Sequence, residues 1–221
     1  MSEGQPFIRF DWIADNLDAI AGRLWEHVQM TVIAVVIGFV LSFALAMLVR
    51  RFPRLYGPVI GISGTLYSIP SLALFALLIP FSGVSLVTAE IALVSYTLLI
   101  LVRNIVAGLE SVPAEVIEAA QSMGYTTAQR FWRVEVPIAL PVIVAGLRIA
   151  TVTTVGLVTV TTLIGLGGLG YLIVNGGINR FFPTSIYTGV VLAIALAVVA
   201  DVLFLALQRR LTPWARGQAT A

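Results

Sequence analysis

Apolar residues in this chain fall in long, almost unbroken runs and do not alternate as in a half-buried strand. Five runs are each long enough to cross about 30 Å of hydrocarbon as a helix, at 28–49, 59–80, 85–102, 138–163 and 186–207. Between the third and fourth runs, from Pro113 to Pro141, the chain turns polar and charged, and its pattern predicts two short helices joined at a glycine. Ser111 and Pro113 supply a helix start, and Val116, Ala119, Ala120 and Met123 then share one helical face. Gly124 stands where a residue of positive φ would stop that helix. Thr126 followed by Gln129 has the spacing of a capping box, and Pro137 and Pro141 are expected to end the second helix. The result is a compact elbow whose small residues, Ala119 and Ala120, would let a partner surface approach closely.

Composition agrees with the runs. The 221 residues are 59% hydrophobic and 11% charged, whereas soluble domains carry about 25% charged residues, so an all-α integral membrane protein of five transmembrane helices is expected. With no cysteine there is no disulfide framework, thiolate metal site or cysteine nucleophile. A single histidine, His27, excludes a His-rich metal cluster within one chain. The 13 basic residues are all arginine, and a net charge of +2 is too small to suggest nucleic acid.

Residues 1–27 carry Glu3, Asp11, Asp15, Asp18 and Glu26 against Arg9 and Arg23. They have no basic n-region and no small-residue cleavage site, so they do not read as a cleaved signal peptide. Phe10, Ile13, Leu17, Ile20 and Leu24 recur at helical spacing, which suits an amphipathic helix on the membrane surface; a solvated tail is the plainer alternative. Arginines orient the chain. Arg50, Arg51, Arg54, Arg103, Arg130, Arg133, Arg209, Arg210 and Arg216 flank the runs on one side, against Arg9, Arg23 and Arg180 on the other. By the positive-inside rule the N-terminus is outside, and the C-terminus and elbow are cytoplasmic. The expected organisation is an extracytoplasmic segment over 1–27, a transmembrane domain over 28–210 with its elbow at 113–137, and a cytoplasmic tail over 211–221.

Two runs carry polar signals. The second holds Tyr67, Ser68, Pro70 and Ser71, and Pro70 must interrupt the helical ladder. Such a break either lines a substrate path or is a plain kink with serines bonded back to the helix. The fourth holds Arg148 and a series of threonines including Thr151 and Thr154, which serve helix packing or the path. A charge within a span must be paired or hydrated, so Arg148 is expected to face the bundle, a partner chain or the cytoplasmic mouth, and Asp201 in the fifth run is a candidate partner. Glu90, near the outer end of the third run, is expected to snorkel to the interface. Gly165, Gly167 and Gly170 formally fit G-x-G-x-x-G, but they follow a membrane helix and open no βαβ unit. They are expected to turn the chain before a short helix near Leu172–Asn175. No Walker A sequence occurs, so no ATP site is expected here, and no residue set suggests catalysis or a metal.

Glu118, Ala119 and Ala120, then Gly124, then Val134, Val136 and Pro137 resemble the EAA loop of bacterial ABC importer permeases. Val134 and Val136 stand where that pattern has isoleucine and leucine. Over roughly residues 28–210, the run from Tyr67 to Leu74, Arg103-Asn104 and the stretch Ile164–Gly170 are similar to the glycine betaine/carnitine/choline permeases, with methionine-type permeases the nearest rival. The resemblance implies a subunit of the bacterial inner membrane that pairs with a second permease subunit. It also implies two ATPase subunits that carry ATP and magnesium, and an extracytoplasmic solute-binding protein. Glu118, Ala119, Ala120, Gly124 and Pro137 would then couple to the ATPase, and Tyr67, Ser68, Pro70, Ser71, Thr151 and Thr154 would lie along the translocation path. An integral membrane enzyme would instead need convergent His, Asp, Glu or Ser at one interface, and a passive channel would need no docking elbow.

The arginine bias makes a first prediction. A reporter active only in the periplasm, fused after Arg216, should be silent; activity there would overturn the orientation.

Overall fold

The first apolar run becomes one rod because nothing along it breaks a helix. In the computed structural model, which describes residues 7–212, α2 runs without interruption from Leu17 to Arg51. It is preceded only by the short α1, Phe10–Asp15. The expected boundary at residue 27 is therefore no element boundary: the helix breaks at Asn16, and residues 17–27 extend the same rod as the first apolar run. Glu3, Arg216 and most of the expected 211–221 tail lie outside the described residues.

The second run breaks harder than a kink. It forms α3, Tyr56–Ser68, and α4, Ser71–Ser82, whose axes differ by 99°. Ile69 takes the extended backbone that a residue before proline favours (φ −68°, ψ 129°), and Pro70 has no N–H to offer. The Leu66 carbonyl, which a residue at 70 would have served, takes the Ile69 N–H, and the Ile69 carbonyl accepts from the Tyr96 hydroxyl. Among the described residues four helices are long and apolar enough to cross a membrane, and five segments are if the bent pair counts as one span.

Ser85 caps α5, Leu86–Glu110, by accepting the Thr88 N–H. The elbow follows as α6, Ala114–Ser122, and α7, Thr127–Arg130. Pro137 and Pro141 do not end the second elbow helix, contrary to the sequence expectation. The chain continues through a π-helical turn at Phe131–Glu135 into α8, Val136–Val160, so Thr127–Ile164 is one helical stretch. Pro137 sits in the first turn of α8, where a missing N–H breaks few bonds, and Pro141 is tolerated inside it. A 3₁₀ turn at Thr161–Ile164 and the glycine-rich loop lead to α9, Leu169–Val174, and α10, Pro183–Leu211.

Helices α2, α5 and α8 pack on one another, and α10 lies against α8 and α9. Small residues set the spacing: a Cβ added at Gly146 of α8 would lie 2.4 Å from the Asn104 Cβ of α5. One apolar cluster surrounds Phe75, Leu93 and Val158, and a second surrounds Leu101, Ile105 and Ile143. Glu90 shares the packed stripe of α5 with Leu93, Val94 and Thr97. It therefore does not snorkel: it is 8% exposed, and neither carboxylate oxygen has a hydrogen-bond partner among the described residues.

Arg148 and Asp201 join α8 to α10 through a two-pronged ion pair, Nε to Oδ1 at 2.8 Å and NH2 to Oδ2 at 2.9 Å. A charge left without a partner within a membrane span is unfavourable. Arg148→Leu and Asp201→Asn should each lower the thermal unfolding midpoint of the purified protein, and the double variant Arg148→Leu/Asp201→Leu should recover part of the loss. Single variants that melt like the parent would show that the pair adds nothing.

Candidate functional site

The elbow is shaped by its backbone before any side chain matters. Pro113 occupies the N-cap position of α6, while the Ser111 hydroxyl donates back to the Gly108 carbonyl at 2.7 Å and so finishes α5 instead of starting α6. At the other end the Gly124 N–H donates to the Gln121 carbonyl (2.9 Å) and the Tyr125 N–H to the Ala120 carbonyl (3.1 Å). That pair of bonds is a Schellman closure, and it requires the φ of +81° that Gly124 supplies. Thr126 and Gln129 then form the reciprocal capping box that starts α7.

The two alanines part company. Ala120 is 1% exposed and packs into the elbow, whereas Ala119, Glu118 and Met123 face outwards. Nothing lies within 4 Å of where a Cβ on Gly124 would stand, so the glycine is needed here for its φ, and the space above it is open. Pro137 is half-buried at the root of α8.

Behind the elbow lies a charge cluster that residue patterns alone did not reveal. Glu135, 1% exposed, accepts from Arg130 Nε at 2.7 Å and is ion-paired to Arg50 at the C-terminal end of α2. Arg50 also stands 5.1 Å above the Phe131 ring, and Phe131 meets Trp132 edge-on at 5.0 Å. A cavity of about 410 Å³ opens beside this cluster, lined by Arg50, Tyr56, Glu110, Ile117 and Glu135 among others.

The residues expected along a path separate into two places. At the α3–α4 break, Tyr67, Ser68 and Pro70 are exposed and Ser71 is half-buried. Tyr67 meets Tyr96 edge-on at 5.8 Å, and the Ser68 hydroxyl bonds back to Gly64 at 2.8 Å. Thr151 and Thr154 are buried on α8 and bond back to Leu147 and Ala150, each at 2.8 Å. Thr151 lines a nearly wholly apolar groove of about 390 Å³ between α2, α8 and α10.

At the opposite end of the bundle, two neighbouring residues hold the glycine-rich loop. His27 is fully buried; its Nδ1 accepts the Leu169 N–H at 3.2 Å, so the ring proton sits on Nε2 and is donated to the Val155 carbonyl at 3.0 Å. The Glu26 carboxylate accepts the Gly168 N–H at 2.9 Å and pairs with Arg23 at 2.9 Å. Arg23 in turn lies 3.9 Å over the Tyr171 ring. The available sequence signal was the Glu26-His27 pair at the edge of an apolar run, set against a loop rich in backbone donors.

Residues 34–216 match the family model described as binding-protein-dependent transport system inner membrane component. The chain is 36% identical over 192 residues to the choline transport system permease protein OpuBB of Bacillus subtilis, covering 86% of this chain and 88% of that one. It is 37% identical over 207 residues to the osmoprotectant import permease protein OsmW of Salmonella typhimurium, covering 91% and 96%. The fold matches a chain from inward-facing structures of the MetNI methionine ABC transporter with a TM-score of 0.80 and 26% identity, over 90% of this chain and 98% of that one. The elbow, the α3–α4 break and the long helices thus belong together: the chain is a member of the family of inner membrane components of binding-protein-dependent transport systems, a transport permease of the ABC importer type.

Proposed function

We propose that this permease imports a quaternary ammonium compatible solute, such as glycine betaine, choline or carnitine, and that its elbow is the surface on which a partner ATPase acts. The substrate class is supported by relatives named for choline, carnitine and general osmoprotectant transport. It is supported further by the α3–α4 break, where an exposed tyrosine stands beside the C-terminal end of a half-helix. A quaternary ammonium ion cannot donate hydrogen bonds and is met by aromatic faces and the negative ends of helix dipoles. The likeness to a methionine transporter favours a second substrate class, an amino acid.

One observation carries the coupling role. The elbow is rigid by its own caps, yet presents Glu118, Ala119, Met123 and the open space over Gly124 outwards. A rigid body with a small exposed face suits a cleft on a partner. Two ATPase subunits binding ATP and magnesium would move the elbows of two paired permease subunits, and a solute-binding protein would deliver substrate on the far side. The N-terminus then lies outside and the C-terminus in the cytoplasm.

Gly124→Leu places a side chain at a positive φ, a strain of about 1 kcal/mol, and fills the space above the turn. Gly124→Leu and Glu118→Lys should reach the membrane in parental amounts but lose ATPase copurification or ATP-driven uptake. Normal retention together with normal uptake of labelled choline and glycine betaine in both variants would overturn the elbow's role. Uptake of methionine in place of these quaternary ammonium compounds would favour the second substrate class.

A further inference from the structure

Glu135 is a buried carboxylate with two guanidinium partners from two different directions, and nothing in the transport reading above uses it. Arg130 reaches it from the last turn of α7, on the elbow side, and Arg50 reaches it from the last turn of α2. Glu135 itself ends the π-helical turn that connects the elbow to α8. The single carboxylate therefore ties together the elbow, the root of α8 and the end of α2.

We infer that Glu135, with Arg50 and Arg130, is the positioning residue that passes displacement of the elbow to α2. The inference rests on the elbow being the surface on which the ATPase acts. Three observations support a transmitting role over mere stabilisation.

The first is burial. At 1% exposure Glu135 is shielded from water and salt, and the Arg130 side chain is mostly buried with it, so that pair is little screened; Arg50, 36% exposed, holds the same carboxylate from the wetter side. The second is the joint beneath it. The elbow enters α8 through a π turn, a locally widened helix that is rare and recurs at functional sites. Without a cross-tie, rotation of α7 would be taken up in that turn and lost. The tie from Arg130 to Glu135 spans the π turn, and the tie from Glu135 to Arg50 carries the same motion sideways to another helix. The third is space: the cavity of about 410 Å³ between α2, α5 and α6 leaves Arg50 and Glu135 room to move together. Arg50 is further steadied by the Phe131 face within the π turn itself, so the cation follows both the carboxylate and the ring.

A residue with this role affects how much transport each hydrolysed ATP yields, more than it affects folding. The test uses the assembled transporter in proteoliposomes with its ATPase and binding protein. Arg50→Gln leaves the Arg130–Glu135 pair intact and removes only the tie to α2. Glu135→Gln keeps the shape and removes the charge. The readout is labelled substrate taken up per ATP hydrolysed, alongside ATPase retention and the melting midpoint. Both variants should retain the ATPase, while uptake per ATP falls about tenfold, a size within that of coupled neighbouring residues. The double variant should be no worse than Glu135→Gln alone, because that change already cuts the link to Arg50. Glu135→Asp should recover part of the ratio.

A parental ratio in Arg50→Gln would overturn the inference, as would a loss of uptake that merely tracks a fall in assembled protein or melting midpoint. Gly124→Leu run in parallel separates the two levels. If it transports normally, the elbow reading fails and takes this inference with it. If it is uncoupled while Arg50→Gln keeps the parental ratio, only the transmission through Glu135 fails.

Discussion

The carboxylate of Glu135, shared between Arg50 and Arg130, is the interaction on which the elbow end of the bundle depends. In hydrocarbon, or at its edge, a charge has no water to fall back on, so each must be answered by the protein. The chain meets that constraint near the two ends of α2, where its ionic and hydrogen-bonded ties are buried, whereas Glu90 of α5 is left without a partner among the described residues. At one end Arg50 engages Glu135, just before α8. At the other, Glu26 and His27 hold the loop and turn that follow α8. One helix is thereby fastened near both ends of its neighbour, and the stretch between is left to apolar packing.

That packing works by close approach more than by bulk. Lipid chains are as apolar as leucine, so helices gain from fitting tightly and little from escaping solvent. Gly146 against Asn104, and Gly108 against the carbonyl of Ala139, bring α5 and α8 close enough that a methyl would collide or crowd. The broken pair α3–α4 is bound differently. Ser63 is the only buried residue of α3, and Leu74 and Phe75 are those of α4. Tight packing is therefore concentrated in the α2–α5–α8 core, and the broken pair is held by fewer buried side chains.

Features encoded within a few residues of one another were legible in the sequence. The capping box at Thr126–Gln129 and the positive φ at Gly124 are local chemistry, and they are found where the residues placed them. The Arg148–Asp201 pair was legible for a different reason: two charges in otherwise apolar runs have few possible partners. The fate of Pro137 and Pro141 was not legible, because a proline breaks a helix only if nothing relieves it, and here a π turn and bundle packing do. Glu90 was misplaced because composition says how costly burial is but not which face of a helix is buried. The partners of His27 lie 128 and 142 residues away, beyond any periodicity. Glu135 was hidden among the elbow's other charges, and only the fold distinguishes it from exposed Glu115 and Glu118.

The Arg148–Asp201 pair has a consequence for how the protein is made. Membrane helices leave the ribosome in chain order, and the two partners are 53 residues apart. At a synthesis rate of about 5–20 residues per second, Arg148 is in the chain for roughly 3–10 s before Asp201 is added. Through that interval Arg148 must hold its charge at the lipid surface by extending its side chain. The arrival of α10 draws the guanidinium inwards and fixes the last long helix against α8. Completion of the bundle is thus tied to completion of the chain.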